Sequence, residues 1–186
     1  MPILEDLVRP PAESPRPKNK LIACLPPEDF ARLKPYLKTV PFKRKEVIHR
    51  RNELMRHVVF PNGGVASVTT AMKDGTMVEI ATVGHEGLVG IEAFFGDAMM
   101  PTESMIQVPD TDAEVMTADA FKQEMNRPGP FQACVFRYWQ GFQSLIMQST
   151  ACMALHPVQE RCCRWLLMAH DRVRQTSFSS AMSSWR

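Results

Sequence analysis

Between Phe131 and Leu155 the chain carries a single charged residue, Arg137. Within that run Phe131, Val135, Tyr138, Phe142, Leu145, Ser149 and Cys152 recur at alternating spacings of four and three, a heptad stripe sustained for about three heptads. A second stripe, Cys134, Trp139, Ile146 and Met153, runs beside it. A solitary solvated helix would carry a charged face. The segment therefore predicts a long helix buried on two sides, with one stripe against the chain's own structure and the other against a partner helix. The first stripe is the expected seam of a homodimer. With so little charge beside it, flanking ion pairs do not set which helices pair.

The residues before this helix follow a different period. From Val40 to about Met116 short β-rich runs are cut by turn residues, and "PNGG" (61–64) and "KDG" (73–75) are hairpin signals because Asn and Gly tolerate positive φ. These runs predict an antiparallel sheet rolled around an apolar core, with Val65, Ser67 and Thr69 on one face and Ala66, Val68 and Thr70 on the other. Upstream, "LPPEDFARLKPYL" reads as a short helix opened by Pro26 and Pro27. Downstream, "TADAFKQEMNR" reads as a brief helix capped by Thr117 or Asp119 and stopped by "RPGP". After the long helix, His156 and Pro157 end one helix and begin another. Val158, Cys162, Trp165, Leu166, Ala169 and Val173 form its apolar face, and Glu160 and Arg164 are placed to pair.

This organisation divides the chain into a proline-rich mobile arm (1–19), a β-roll domain (20–127), a dimerisation helix (128–155), a further helix (156–174) and a serine-rich irregular tail (175–186). With 186 residues and a net charge of +2, overall charge does not argue for nucleic acid. No run approaches the roughly 18 apolar residues of a membrane helix, and the N-terminus lacks a secretory core, so the cytosol is the expected compartment. Cys24, Cys134, Cys152, Cys162 and Cys163 have neither disulfide-framework nor metal-ligand spacing and read as reduced thiols; no metal is expected. "GHEGLVG" lacks the second His of a zinc-protease helix, and no Ser–His–Asp or Cys–His arrangement can be argued, so no enzyme is expected. The basic run "KRKEVIHRR" (43–51), taken as a strand, splits its charges between two faces and reads as a solvated sheet edge.

The order "VPFKRKEVI", then "HVVFPNGGVASV" through "KDGTMVEIATVGHEGLVG", then "RCCRWLL" resembles the Crp/Fnr superfamily of bacterial transcription regulators over residues 20 to 173. The resemblance implies a cyclic-nucleotide-binding-like β-roll with a long dimerisation helix, and ligand-controlled transcription. It also implies a winged helix-turn-helix, of which "HPVQERCCRWLLMAHDRV" is only the first helix. "RQTSFSSAMSSWR" has no recognition-helix pattern, so the expectation is a truncated regulator that does not bind DNA by itself. The alternative is a stand-alone small-molecule binding module acting through a protein partner.

The same resemblance implies where the ligand pocket lies: Gly87 and Gly90 at the tight turn, Glu92 near the ribose position, Phe94, and Ser104 at the phosphate position. The family's phosphate-neutralising Arg is replaced by Glu103, and no Lys or Arg occurs between Lys73 and Lys122. An anion there would be repelled, so no cyclic nucleotide and no other cofactor is expected. Ala93, Phe94, Phe95, Met99 and Met100 leave open a neutral or apolar ligand, or a collapsed pocket with none.

Overall fold

The computed structural model describes residues 18–96, 99–109 and 112–173. Most of the expected arm and the whole of the expected tail lie outside them. Helix α1 (Lys20–Ala23) opens on Asn19, whose Oδ1 accepts the N–H groups of Leu21 and Ile22. Helix α2 (Pro27–Leu33) has Pro27 in its first turn, where a missing N–H costs nothing. The helix expected to reach Leu37 stops at Leu33 and tightens into a 3-10 turn, Lys34–Tyr36. Pro35 explains this, since it cannot donate to Ala31 and its ring crowds that carbonyl.

Seven strands form two antiparallel sheets. β1 (Lys38–Pro41), β7 (Asp112–Thr117) and β3 (His57–Pro61) make one, in that order. β2 (Val47–His49), β6 (Thr102–Val108), β4 (Val65–Ala71) and β5 (Met77–Val83) make the other. The "KDG" turn closes the β4–β5 hairpin as expected, with Gly75 at φ +86° and the Met72 N–H on Thr76 O at 2.8 Å. "PNGG" does not close a hairpin. It carries the chain from β3 in one sheet to β4 in the other. Asn62 makes this a crossover: its Nδ2 donates to Asp112 and Glu114 on β7, while its Oδ1 takes the Asn19 N–H at 2.9 Å. The basic run is likewise mostly turn, with Lys45 at φ +63°, and only Val47–His49 of it are strand.

The apolar core lies between the sheets and against the helices. Leu21, Ile22, Leu33, Val58, Phe60, Leu88, Met116, Phe121, Phe131 and Val135 belong to its main cluster, and Phe121 meets Phe131 edge-to-face at 6.0 Å. Helix α3 (Ala118–Met125) is capped by Thr117 Oγ1, which accepts the Ala120 N–H at 3.3 Å. Helix α4 (Pro130–Leu155) is the long uncharged helix.

Helix α5 (Val158–Arg172) folds back onto the roll. Trp165, Ala169 and Val173 pack on Val65 and Val108, the Trp165 indole donates to Glu79 at 2.8 Å, and Gly64 N–H reaches Arg172 O at 3.1 Å. β4 keeps the expected alternation of faces, and both are covered at its start: Ala66 faces the core, and Val65 on the other face is buried under α5. Glu160 pairs with His156 and Arg164 with Ser149, so the expected Glu160–Arg164 pair does not form. Among the described residues no helix is long and apolar enough to cross a membrane.

Candidate effector pocket and the glycine turn

The segment 84–90 leaves β5 with glycine at every third position. Each glycine is the seat of a side chain from elsewhere in the chain. A Cβ on Gly84 would lie 2.5 Å from the Arg172 side chain of α5, and one on Gly87 2.4 Å from the Tyr138 ring of α4. A Cβ on Gly90 would lie 2.6 Å from the His49 ring of β2. Gly90 also adopts φ +97°, a conformation costly for any residue with a side chain. The seated groups are then tied by polar contacts. Arg172 donates to Thr82 Oγ1 at 2.5 Å and pairs with Glu86 at 2.6 Å. Tyr138 Oη donates to Leu88 O at 3.1 Å. From the N-terminal side Asn19 Nδ2 donates to Gly87 O at 2.8 Å, and Lys20 N–H to His85 O at 2.7 Å. One short turn thus joins α1, α4, α5 and the roll.

Behind Gly90 lies the pocket interior, lined by His49, Met55, Val68, Leu88, Gly90, Glu92, Thr102, Ser104 and Phe142 among others. Its cavity of about 20 Å³ has room for roughly one water. The His49 imidazole occupies the centre: Nε2 donates to the His57 carbonyl at 2.8 Å, which leaves Nδ1 to accept from the Ser104 hydroxyl at 3.2 Å. Burial pushes the His49 pKa below its ordinary value, against the opposing pull of the His57 carbonyl, so the ring is neutral at pH 7. Burial also raises the Glu92 carboxyl.

Of the expected pocket residues, Gly90, Glu92 and Ser104 come together here. Gly87 instead holds Tyr138, and Phe94 sits outside the cavity, packed edge-on against Phe95 (5.4 Å) and Phe136 (5.8 Å). Glu103 is not among the residues that line the cavity. Along β6, Ser104, Ile106 and Val108 are buried while Glu103 is only half-buried on the opposite face, as strand alternation requires, so its charge does not line the cavity. The residue that meets Ser104 inside the cavity is His49, which the sequence does not single out.

The residues of the expected dimer seam have several places within the chain. Phe131 and Val135 are buried in the chain's own core, Tyr138 grips the glycine turn, and Phe142 lines the pocket. Leu145, Ser149 and Cys152, with Ile146, Met153, Arg161, Arg164 and Trp165, line a cleft of about 120 Å³ between α4, α5 and β5. The exposed face of α4 presents Phe136, Gln140, Ser144, Met147, Ala151 and Ala154. Among the described residues no group of three His, Cys, Asp or Glu side chains is placed to hold a metal ion.

His49 makes one prediction testable by pH. With a folded-state pKa below the unfolded 6.5, the unfolded chain takes up the proton first. Stability is therefore full above about pH 6.5 and falls as pH drops from there through the folded value. Urea unfolding between pH 7.5 and 5.5 is expected to show wild type losing stability relative to His49→Gln. The comparison cancels Glu92, whose raised pKa acts in the opposite sense. Parallel curves would mean that the ring titrates as it does in water.

No family model matches the chain, and no curated protein matches it by sequence. Solved structures do. A protein described as a transcriptional regulator of the Crp/Fnr family from Eubacterium rectale superposes with TM-score 0.66 at 14% identity, covering 81% of this chain and 70% of that one. The c-di-GMP-responsive global regulator CLP of Xanthomonas campestris gives 0.62 at 12% identity, covering 82% and 76%. The catabolite activator protein of Thermus thermophilus gives 0.54 at 13% identity, covering 72% and 61%. These likenesses establish the fold: a cyclic-nucleotide-binding-like β-roll followed by a long helix, the architecture of Crp/Fnr-type regulators.

Proposed function

We propose that this chain is the effector-sensing and dimerising part of a Crp/Fnr-like transcription regulator, non-catalytic, cytoplasmic, and without DNA binding of its own. The observation that carries this reading is the Tyr138 joint. Its hydroxyl holds Leu88 O and its ring fills the space over Gly87, so a movement of the turn beside the pocket must move α4 or break the contact. That is the coupling a ligand-controlled helix pair requires. Burial and the nearby Glu86 carboxylate keep the phenol protonated, so it donates throughout the physiological range. The outward face of α4, uncharged apart from Arg137, supports pairing of two copies along it. A pocket filled by a neutral His49, and lacking any cation, supports a neutral or apolar effector over a cyclic nucleotide.

Sedimentation equilibrium of the purified chain is expected to give a dimer, and random duplex DNA at low salt is expected to migrate unretarded beside it. Cyclic AMP or GMP at millimolar concentration is expected to leave the melting temperature unchanged. A monomer at micromolar concentration would refute the dimer part of this reading. A rise of several degrees with either nucleotide would refute the pocket part, and salt-steep retardation of DNA would refute the third.

A further inference from the structure

The Sγ atoms of Cys24 and Cys134 lie 3.2 Å apart although the residues are 110 positions apart in the chain. Both thiols point at one acceptor, the Leu21 carbonyl, at 3.3 Å from Cys24 and 3.9 Å from Cys134. A disulfide needs about 2.05 Å between the sulfurs, so closing the bond asks for a shift on the order of 1 Å. Cys24 ends α1 and is exposed, while Cys134 is half-buried in the first turns of α4. We propose that Cys24 and Cys134 form a peroxide-oxidisable dithiol that closes to a disulfide stapling α1 to α4.

The chemistry divides between the two sulfurs. Cys24, open to solvent, attacks a hydroperoxide: its sulfur takes the terminal oxygen to become a sulfenic acid, and the alcohol or water leaves. The Cys134 sulfur then displaces the hydroxyl from the Cys24 sulfur, and its thiol proton departs with that hydroxyl as water. Two thiols and one hydroperoxide yield one disulfide, one alcohol (or water) and one water. Burial and the neighbouring Cys24 hold the Cys134 thiol well above its usual range. Less open to solvent oxidants than Cys24, and 3.2 Å from its sulfur, it is placed to resolve the sulfenic acid. The other cysteines lack this arrangement. Cys162 and Cys163 are adjacent on α5, where successive side chains diverge around the helix, and Cys152 is buried.

The place of the staple gives it a consequence, one that rests on the function proposed above. α1 holds the glycine turn through Lys20 N–H, beside Asn19 on Gly87 O, and α4 holds it through Tyr138. Oxidation would join the two helices that grip the turn, holding α4 in its present position whatever the pocket contains.

The test uses the full chain, reduced, then treated with a small excess of hydrogen peroxide, alkylated and digested. Mass spectrometry is expected to find the Cys24 peptide joined to the Cys134 peptide, two hydrogens lighter than their sum. The product should run faster on a non-reducing gel, revert with dithiothreitol, and melt roughly 5 °C or more higher, because the closed loop is long. Cys162→Ser/Cys163→Ser should retain the shift, and Cys24→Ser and Cys134→Ser, each checked for native circular dichroism, should abolish it. Recovery of Cys24 as sulfinic acid with Cys134 still a free thiol would overturn the proposal. So would links confined to Cys162 and Cys163, or to pairs of chains. None of these results depends on whether the chain dimerises or binds an effector, so this proposal and the functional one can fail separately.

Discussion

Val135→Asp is expected to abolish stable folding, lowering stability by about 4 kcal/mol or more, while Met147→Glu on the same helix is expected to change it by no more than about 0.5 kcal/mol. The contrast follows from position. Val135 has 0% of its surface exposed and sits among Phe131, Phe121 and Leu21, so a carboxylate there is desolvated with no cation to meet it. Met147 is 67% exposed on the outward face of α4. Urea unfolding measures the first effect. Sedimentation measures what the second does to assembly, and there Met147→Glu is expected to shift a dimer towards monomer. A Val135→Asp chain with native circular dichroism and an unchanged unfolding midpoint would mean that this stripe of α4 does not face the core.

Gly90→Ala is the second large effect, expected at about 2–4 kcal/mol. Two penalties combine. The new Cβ would sit 2.6 Å from His49 Cε1 and 3.1 Å from the His57 carbonyl oxygen, and the backbone would have to hold φ +97° with a side chain attached. Gly75→Ala separates them, since that site has φ +86° and nothing within 4 Å of the new Cβ. It is expected to cost only about 1 kcal/mol, the conformational part. Adding His49→Ala to Gly90→Ala should recover the portion due to the ring and no more, a coupling that a double-mutant cycle reads directly. A Gly90→Ala chain as stable as wild type would mean that the turn moves freely away from His49.

How far such features can be read from the sequence depends on the range of the interaction that creates them. The Thr117 cap, the "KDG" hairpin and the start of α4 at Pro130 are local, and their residues announce them. Periodicity marks the stripe from Phe131 to Cys152 as the less exposed side of α4, and none of its seven residues is exposed. It carries no information about what each part meets: Phe131 and Val135 enter the chain's own core, while Leu145, Ser149 and Cys152 line the cleft beside α5. "PNGG" has the composition of a hairpin, yet the Asn62 bonds to Asp112 and Glu114, about 50 residues away, turn it into a crossover. The resemblance puts Glu103 at the family's Arg position, whereas the face it occupies is set by the alternation that puts Ser104 inside. Likewise the spacing of the glycines at 84, 87 and 90 does not show what packs against them. Their meaning lies in Arg172, Tyr138 and His49, none of which is near them in sequence.

The docking of α5 bears on how such a chain stays dispersed. β5 is the outermost strand of its sheet, bonded only to β4, and Glu79 to Thr82 on it lie beside α4 and α5. Trp165 on Glu79, and Arg172 on Thr82, hold α5 there. A chain cut after Leu155 would lose both clasps and leave the Val65–Val108 surface bare next to an open strand edge. Open edges beside apolar surface are where one chain begins to pair with the next. The last described helix, whatever follows it, thus acts as the cover that keeps neighbouring molecules from growing onto this sheet.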